Sequence, residues 1–408
     1  MRMLISFAAI FLSIVLLQLG AGGIAPLDAL SGAALHFPKS LIGLMGSAHF
    51  FGFFIGCWWA PRLMGEVGHS RAFAAFVAAG TIGIIAHMLW IDPWAWSVMR
   101  MGTGLCVAGA YTIIEAWLQA SVTNETRGRA MGIYRVVDIM SSLAAQLLIG
   151  VLEPVSYVSY NLLALLLCAA VFPLTLTKAE APETPQAPRL RPALAWEKSP
   201  LASVGVVVSG ISGAAFRMVG PLYGVEVGLK PEQIAVFLAL YVAGGALAQV
   251  PVGWAADRWD RRTVLIWLSV GAILSCLGAI FMARHGAAWN YLTIAAFGFF
   301  TLPLYSVSTA HAHDYAVSLE RVELSAAMMF LYAVGAIASP WLTSVLIEYQ
   351  GPAAMFWMIA LAHLGLIGFG VARMRVRPSA PNRTAYTYEP RTSFLIGRLL
   401  GRVRERQD

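Results

Sequence analysis

Apolar residues run through this chain in blocks of about 20, the length an α-helix needs to cross the hydrocarbon core of a bilayer. The blocks fall at 4–30, 39–60, 71–91, 96–119, 129–152, 155–177, 201–224, 232–254, 263–283, 287–310, 322–346 and 352–373. Short polar turns separate them, except at TKAEAPETPQAPRLRPALAWEKSP (177–200), the one long polar stretch inside the chain. The pattern predicts an all-α polytopic membrane protein with twelve spans, six on each side of an extended linker rich in Pro, Ala and charge.

Composition agrees with this pattern. Of 408 residues, 59% are hydrophobic and 12% charged, and the mean hydropathy is +0.70; a soluble domain carries about a quarter charged residues. Arg2 before an apolar run resembles a secretory leader, but that run continues past Pro26 to Leu30, long for a leader's apolar core, so retention is expected. Cys57, Cys106, Cys168 and Cys276 are isolated within spans, show no C-x-x-C spacing, and read as small packing residues.

Charge fixes an expected orientation. One set of connections holds Arg2, Arg62, Arg71, Arg127, Arg129, Lys178, Arg189, Arg191, Lys198, Arg258, Arg261, Arg262, Arg321 and the arginines from Arg373 onward. The other set holds Lys39, Lys230 and Arg284. The positive-inside rule puts the first set, and both termini, in the cytoplasm of a plasma (inner) membrane protein. The net charge of +7 then reflects topology, and no nucleic-acid partner is expected.

The two halves resemble each other. PRLMGEVGHSR (61–71) and GWAADRWDRRT (253–263) stand 192 residues apart after the second and eighth spans. YTIIEAWLQASVTNETRGRAM (111–131) and YSVSTAHAHDYAVSLERVELS (305–325) stand 194 apart after the fourth and tenth. A duplicated six-span unit inserts the same way up in both copies, which gives a parallel repeat about an axis normal to the membrane.

GWAADRWDRR resembles the loop signature of the major facilitator superfamily, with Gly253, Asp257, Arg258, Asp260, Arg261 and Arg262 in the matching places, between the eighth and ninth spans where that family carries it. The first-half copy is degenerate: Pro61 stands for the Gly and Gly65 for the Asp, while Gly68 and Arg71 survive. RMGTGLCVAGA (100–110) is similar to the family's Arg-x-x-x-Gly-x-Gly signature, with Cys106 in place of the second Gly. EAWLQ followed by RGRAMGIY resembles the YcaD-like branch. The resemblance implies two pseudo-twofold-related six-helix bundles at 1–177 and 201–373, a cytoplasmic linker at 178–200 and a basic tail at 374–408. It further implies alternating access to a midplane site for a small solute, with protons as the simplest energy source. The fifth span, DIMSSLAAQLLIGVLEP, lacks the Gly-Pro-x-x-Gly-Gly run of the family's drug antiporters, which disfavours efflux of amphipathic compounds.

Charged residues inside spans mark where the chemistry lies, because intramembrane charge costs several kcal/mol and is paired or functional. In GIYRVVDIM (132–140), Arg135 and Asp138 share one helix face about 9–14 Å from the cytoplasmic end, and Glu115 on the antiparallel fourth span reaches a similar depth. The three form a candidate cluster, read either as cavity machinery that gates, binds solute or carries a proton, or as a structural salt bridge. Arg100 matches the family arginine associated with proton coupling, and the sequence offers it no partner. Arg217 on the seventh span either binds an anionic group or snorkels to the outer interface. Asp28 either turns into the cavity at the GGIAP kink or ends the first span in solvent, the latter being expected. His49 and His87 read as hydrogen-bonded helix contacts, and Gln146, Gln249, Tyr305, Ser306, Ser308 and Thr309 as cavity lining or helix–helix bonds.

The loop signature reads as a conformational latch of charge-assisted hydrogen bonds, against a solvated loop kept positive for topology. His311 and His313 lie two apart on a helix and point about 200° from each other, so no shared metal is expected. No G-x-x-x-x-G-K-[ST] loop occurs, so ATP hydrolysis is not expected, and no nucleophile–base or metal constellation better than HAHD (311–314) occurs, so neither a cofactor nor an enzyme activity is expected. The tail 391–408 is either an interfacial amphipathic helix on anionic lipid or a disordered basic segment. The expected protein is a monomeric secondary transporter in contact with the lipid bilayer, its solute and protons; the rival is a transporter-like sensor or scaffold.

Overall fold

The computed structural model describes residues 2–122, 127–176, 190–317 and 320–376, with Thr384 and Tyr386. The tail segment 391–408, most of the linker, and Lys178 and Arg189 lie outside the described residues. Twelve helices in it are long and apolar enough to span a membrane. The first half is built from α1 (Arg2–Ala34), α2 (Lys39–Val67), α3 (His69–Leu89), α4 (Pro93–Ser121), α5 (Arg127–Leu148), α6 (Tyr157–Ala169) and α7 (Val171–Thr175). After α8 (Pro192–Lys198), the second half follows as α9 (Pro200–Glu226), α10 (Pro231–Arg258), α11 (Arg261–Met282), α12 (Ala287–Thr301), α13 (Leu304–His313), α14 (Arg321–Gln350) and α15 (Ala353–Val376). The turns α1–α2, α3–α4, α5–α6, α9–α10, α11–α12 and α14–α15 lie at one end, called here the far end; the linker lies at the other.

Local chemistry sets the helix ends. Asp92 caps α4, its Oδ1 accepting from the Trp94 and Ala95 amides at 3.0 and 2.9 Å, with Pro93 as the first helical residue. Ser199 and Pro200 do the same for α9, the Ala202 amide donating to Ser199 Oγ at 3.1 Å. The sixth and tenth spans, predicted as continuous, are each broken once, at Ala170 and at Leu302–Pro303. Pro173 and Pro303 explain the breaks: each lacks an amide proton and crowds the carbonyl four residues earlier. The linker is also less extended than predicted. Residues 192–198 form α8, with Leu194 and Ala195 buried, Lys198 Nζ 2.5 Å from Glu320 and Arg191 3.1 Å from Glu323. That Lys198 contact holds the Glu320 carboxyl below its ordinary range.

Lipid tails give helices no hydrophobic reason to associate with one another, so close packing must supply the cohesion. The closest approaches are made at glycines, and they repeat. In the first half, Gly52 of α2 lies against the Met101 backbone of α4, and Gly104 of α4 against the His49 carbonyl. In the second, Gly244 of α10 lies against the Ala295 backbone of α12, and Gly298 against the Tyr241 carbonyl. Each member of the second set stands 192 or 194 positions after its counterpart, the offsets found in the loops. The sequence repeat is therefore a repeat of helix contacts, and the fold is two equivalent six-helix bundles. Gly244→Leu should cost about 1–3 kcal/mol or more by forcing α10 and α12 apart. Gly102→Ala, where nothing lies within 4 Å, should be neutral to slightly stabilising. Unfolding of the two variants in mixed detergent micelles checks the contrast.

Large apolar side chains left exposed, such as Ile82, Leu165, Val250, Leu274 and Leu361, point outward along the spans, where a bilayer would cover them. Exposed tryptophans gather near the ends: Trp58, Trp254 and Trp259 towards the linker, Trp90, Trp94 and Trp289 at the far end.

Candidate functional site

A cavity of about 180 Å³ lies where the bundles meet. The first half supplies Gln18, His49, Arg100, Tyr111, Asp138, Ser142 and Gln146; the second supplies Arg217, Tyr241 and Tyr332. Phe50, Phe53, Phe54 and Phe216 complete the walls. Helical periodicity places these groups. Asp138, Ser142 and Gln146 recur every four residues on one face of α5, and Arg100 and Tyr111 lie three turns apart on α4. Tyr111 donates its hydroxyl hydrogen bond to Gln18 Oε1, tying α4 to α1 across the cavity wall.

Arg100 has the partner that its sequence neighbourhood did not reveal. Its Nε lies 3.3 Å from Asp28 Oδ2, and Tyr160 donates to Asp28 Oδ1 at 2.9 Å. His87 Nε2 is 3.6 Å from the same Oδ2, while its Nδ1 sits 2.7 Å from the Gly83 carbonyl. Asp28 is only 2% exposed, which corrects the expectation that it ends the first span in solvent. The correction has a simple cause: α1 continues four residues further than predicted, to Ala34, so Asp28 lies inside the bundle, not at its rim.

The predicted trio of Glu115, Arg135 and Asp138 divides. Asp138 lines the cavity, and its buried Oδ1 has no hydrogen-bond partner among the described residues. Glu115 is fully buried beside the cavity, accepting from the Tyr134 hydroxyl at 3.2 Å. Arg135 is half-buried and outside the lining. Arg217 reaches the lumen, so it does not snorkel to the far-end interface. Gln146 lines the cavity; Gln249 turns back to the Gly245 carbonyl of its own helix at 2.8 Å. Tyr305, Ser306, Ser308 and Thr309 are buried in packing, not in the lining. His49 lines the lumen with Nδ1 lacking a hydrogen bond among the described residues. Sequence reasoning missed Gln18, Tyr111, Ser142, Tyr241 and Tyr332. Gln18, alone among apolar residues and glycines in IVLLQLGAGG (14–23), and the four-residue spacing on α5 were the available signals.

The far end of the cavity is closed by contacts between halves. Lys39 Nζ lies 2.6 Å from Glu226 Oε2, the Ser40 amide donates to Glu348 at 2.9 Å, and the Trp341 amide donates to Ser47 Oγ at 3.1 Å. Gly43 and Gly46 of α2 pack against Pro340 of α14.

The loop signature lies at the linker end, within the second half. Asp257 and Arg258 belong to the last turn of α10, so the turn itself is only Trp259 and Asp260. Asp260 caps α11 through the Arg262 amide at 3.0 Å and pairs with the Arg262 side chain at 2.6 Å. Burial pushes the Asp260 carboxyl up, but the bonds and charge of Arg262 outweigh it and hold it below its usual range. Arg261 is the centre: its Nη1 donates to Asp314 at 2.6 Å and to the Ala310 carbonyl at 2.9 Å, its Nε to the Ala256 carbonyl at 3.2 Å, and its Nη2 to the Thr384 carbonyl. Asp257 is half-exposed, 3.7 Å from Arg261, and accepts from the Tyr386 amide at 2.7 Å. In the first-half copy, Gly68 (φ 85°) joins α2 to α3 and Arg71 is exposed.

Twelve spanning helices in two equivalent bundles around a polar lumen define a membrane transporter. The chain belongs to the Major Facilitator Superfamily, whose profile matches residues 6–203 and again 202–405. It is similar to YcaD, an uncharacterised MFS-type transporter of Escherichia fergusonii (28% identity over 333 residues, 80% of this chain and 84% of that protein). A second uncharacterised MFS-type transporter, from Yersinia pestis, is 26% identical over 325 residues, covering 79% and 84%. Among solved structures, the nucleoside transporter NupG superposes with a TM-score of 0.73 at 16% identity, covering 92% of this chain and all of that one. A bacterial homologue of the lysosomal transporter Spinster, in an inward-facing unoccupied state, gives 0.67 at 15%, covering 99% and 98%.

Proposed function

We propose that the chain is a proton-driven secondary transporter that carries a small solute through the central cavity by alternating access. The observation that carries this is the cavity itself: a polar lumen shared by both halves, holding a buried carboxylate at Asp138, in a body otherwise built of lipid-soluble helices. The halves 1–177 and 201–373 act as the rocking units, the linker 178–200 joins them, and the tail 374–408 follows. Bacterial relatives and the cation distribution support an inner-membrane placement with both termini cytoplasmic. The closed far end is then the outer gate, and the signature around Arg261 is the latch that holds the ends of α10, α11 and α13 together.

Two measurements test this reading without knowledge of the solute. Spin labels at Lys39 and Glu226 should report a short distance together with a longer one whose share changes with pH or solute; one fixed distance under all conditions rejects alternating access. Proteoliposomes given a metabolite mixture should accumulate at least one solute that protein-free vesicles exclude, more so with the interior alkaline. Mass spectrometry reads the contents, and no accumulation under either gradient rejects transport.

A further inference from the structure

The cavity holds two opposite charges that come from different halves and are not joined. Arg217, on α9, is exposed to the lumen, and among the described residues no hydrogen bond or ion pair engages its guanidinium. Asp138, on α5, has no partner among the described residues, yet the two groups lie within electrostatic reach of each other. The third lumen charge, Arg100, is already neutralised by Asp28.

The charge balance has a direct consequence. The other ionisable groups lining the cavity are His49 and Cys57 on α2, Tyr111 on α4, Tyr241 on α10 and Tyr332 on α14; Glu115 of α4 is buried beside it, and Asp28 of α1 is taken up by Arg100. Asp138 is the one acidic group among the cavity's lining residues, so adding a proton to it leaves the Arg217 cation without a counter-charge in the lining, in a confined, low-dielectric lumen where charge is costly. An incoming anion would restore neutrality. Coupling of this kind is reciprocal: whatever the proton does for the anion, the anion does for the proton.

Size and walls narrow the solute. An engineered cavity of about 150 Å³ holds benzene, so the present 180 Å³ fits one ring with a small charged group. Phe50 and Phe53 offer apolar ring surface, backed by the buried Phe216 and Tyr241, whose rings pack obliquely with centroids 4.4 Å apart, and Gln18 and Gln146 offer amide groups in the same wall. We infer that the cavity takes a small single-ring monocarboxylate, its charge received by Arg217, together with one proton on Asp138, so that anion and proton load as a neutral pair. This rests on the reading of the cavity as the solute site.

The test is calorimetric titration of the full-length protein in lipid nanodiscs with benzoate, benzamide and benzylamine, at mildly acidic and mildly alkaline pH. Benzoate should bind best, losing up to about tenfold in affinity per pH unit where one proton is linked. Titrations in buffers of different ionisation enthalpy should show about one proton taken up per benzoate. Asp138→Asn should keep benzoate binding and lose its pH dependence. Arg217→Gln should lose about tenfold or more, and Arg217→Lys should recover part of it while both keep the wild-type thermal midpoint. Benzamide or benzylamine binding as tightly as benzoate, pH-independent benzoate binding, undiminished binding by Arg217→Gln, or no benzoate binding at all would each overturn the assignment. Accumulation from the metabolite mixture with no benzoate binding sinks the solute class alone; proton-linked benzoate binding with no accumulation leaves the site and removes the transport.

Discussion

Arg261→Ala is expected to cost about 3–5 kcal/mol of stability, the range for leaving a buried ion pair with one member. The residue is 1% exposed and its guanidinium ties α11 to three other chain segments: α10 at Ala256, α13 and the residue that follows it at Ala310 and Asp314, and Thr384 beyond the last span. Its loss strands Asp314, whose side chain is equally buried. Among the described residues, Thr384 would remain as that carboxylate's hydrogen-bond partner, through its amide at 2.9 Å and hydroxyl at 3.0 Å. Burial already raises the Asp314 carboxyl above its ordinary range, with Arg261 pulling against that rise. With the cation gone, the folded form holds its proton to higher pH than the unfolded one. The variant should therefore be most stable in acid and weaken as pH rises through the folded value, so its deficit against the parent chain widens with pH. Arg258→Ala is the control: that side chain is exposed, over the Trp254 ring at 4.5 Å, and its removal should cost under about 1 kcal/mol. Detergent-micelle unfolding across pH reads both, and equal costs at the two arginines would remove the hub assigned to Arg261.

The fold was legible because a bilayer leaves few options. Spanning segments must satisfy their own backbone, so twelve apolar blocks became twelve helices, and the 192- and 194-residue offsets reappeared as matching glycine contacts. Helix ends were less legible, since α2 and α10 carry their polar signatures as final turns of helix and not as loop. The site was readable only in part. A sequence gives the depth of a residue along its helix but not the rotation of that helix, and rotation is what separates Asp138 in the lumen from Arg135 outside it. Long-range pairing was equally hidden: nothing local to Arg100 points to Asp28 on the first span. Aromatic lining residues such as Tyr111 and Tyr332 look, in sequence, like any other buried ring.

The Asp28–Arg100 pair carries the second large effect. Asp28→Asn keeps an oxygen for the Tyr160 hydroxyl but leaves Arg100, 2% exposed, with no negative partner at 3.3 Å. The expected loss is again about 3–5 kcal/mol, dominated by the stranded cation and not by the vanished attraction. For that reason the double variant Asp28→Asn/Arg100→Gln should be more stable than Asp28→Asn alone, a non-additivity of about 1–3 kcal/mol in a double-mutant cycle. Additive losses would mean that the two residues act independently and that the ionic link is incidental. The same variant probes the lumen. Freed from Asp28, Arg100 adds a second cation to a wall shared with Arg217, so Asp28→Asn should gain more thermal stabilisation from benzoate than the parent chain, while benzamide stabilises both alike. A benzoate effect that is equal in the two proteins would show that Arg100 does not face the solute, and would confine anion recognition to Arg217.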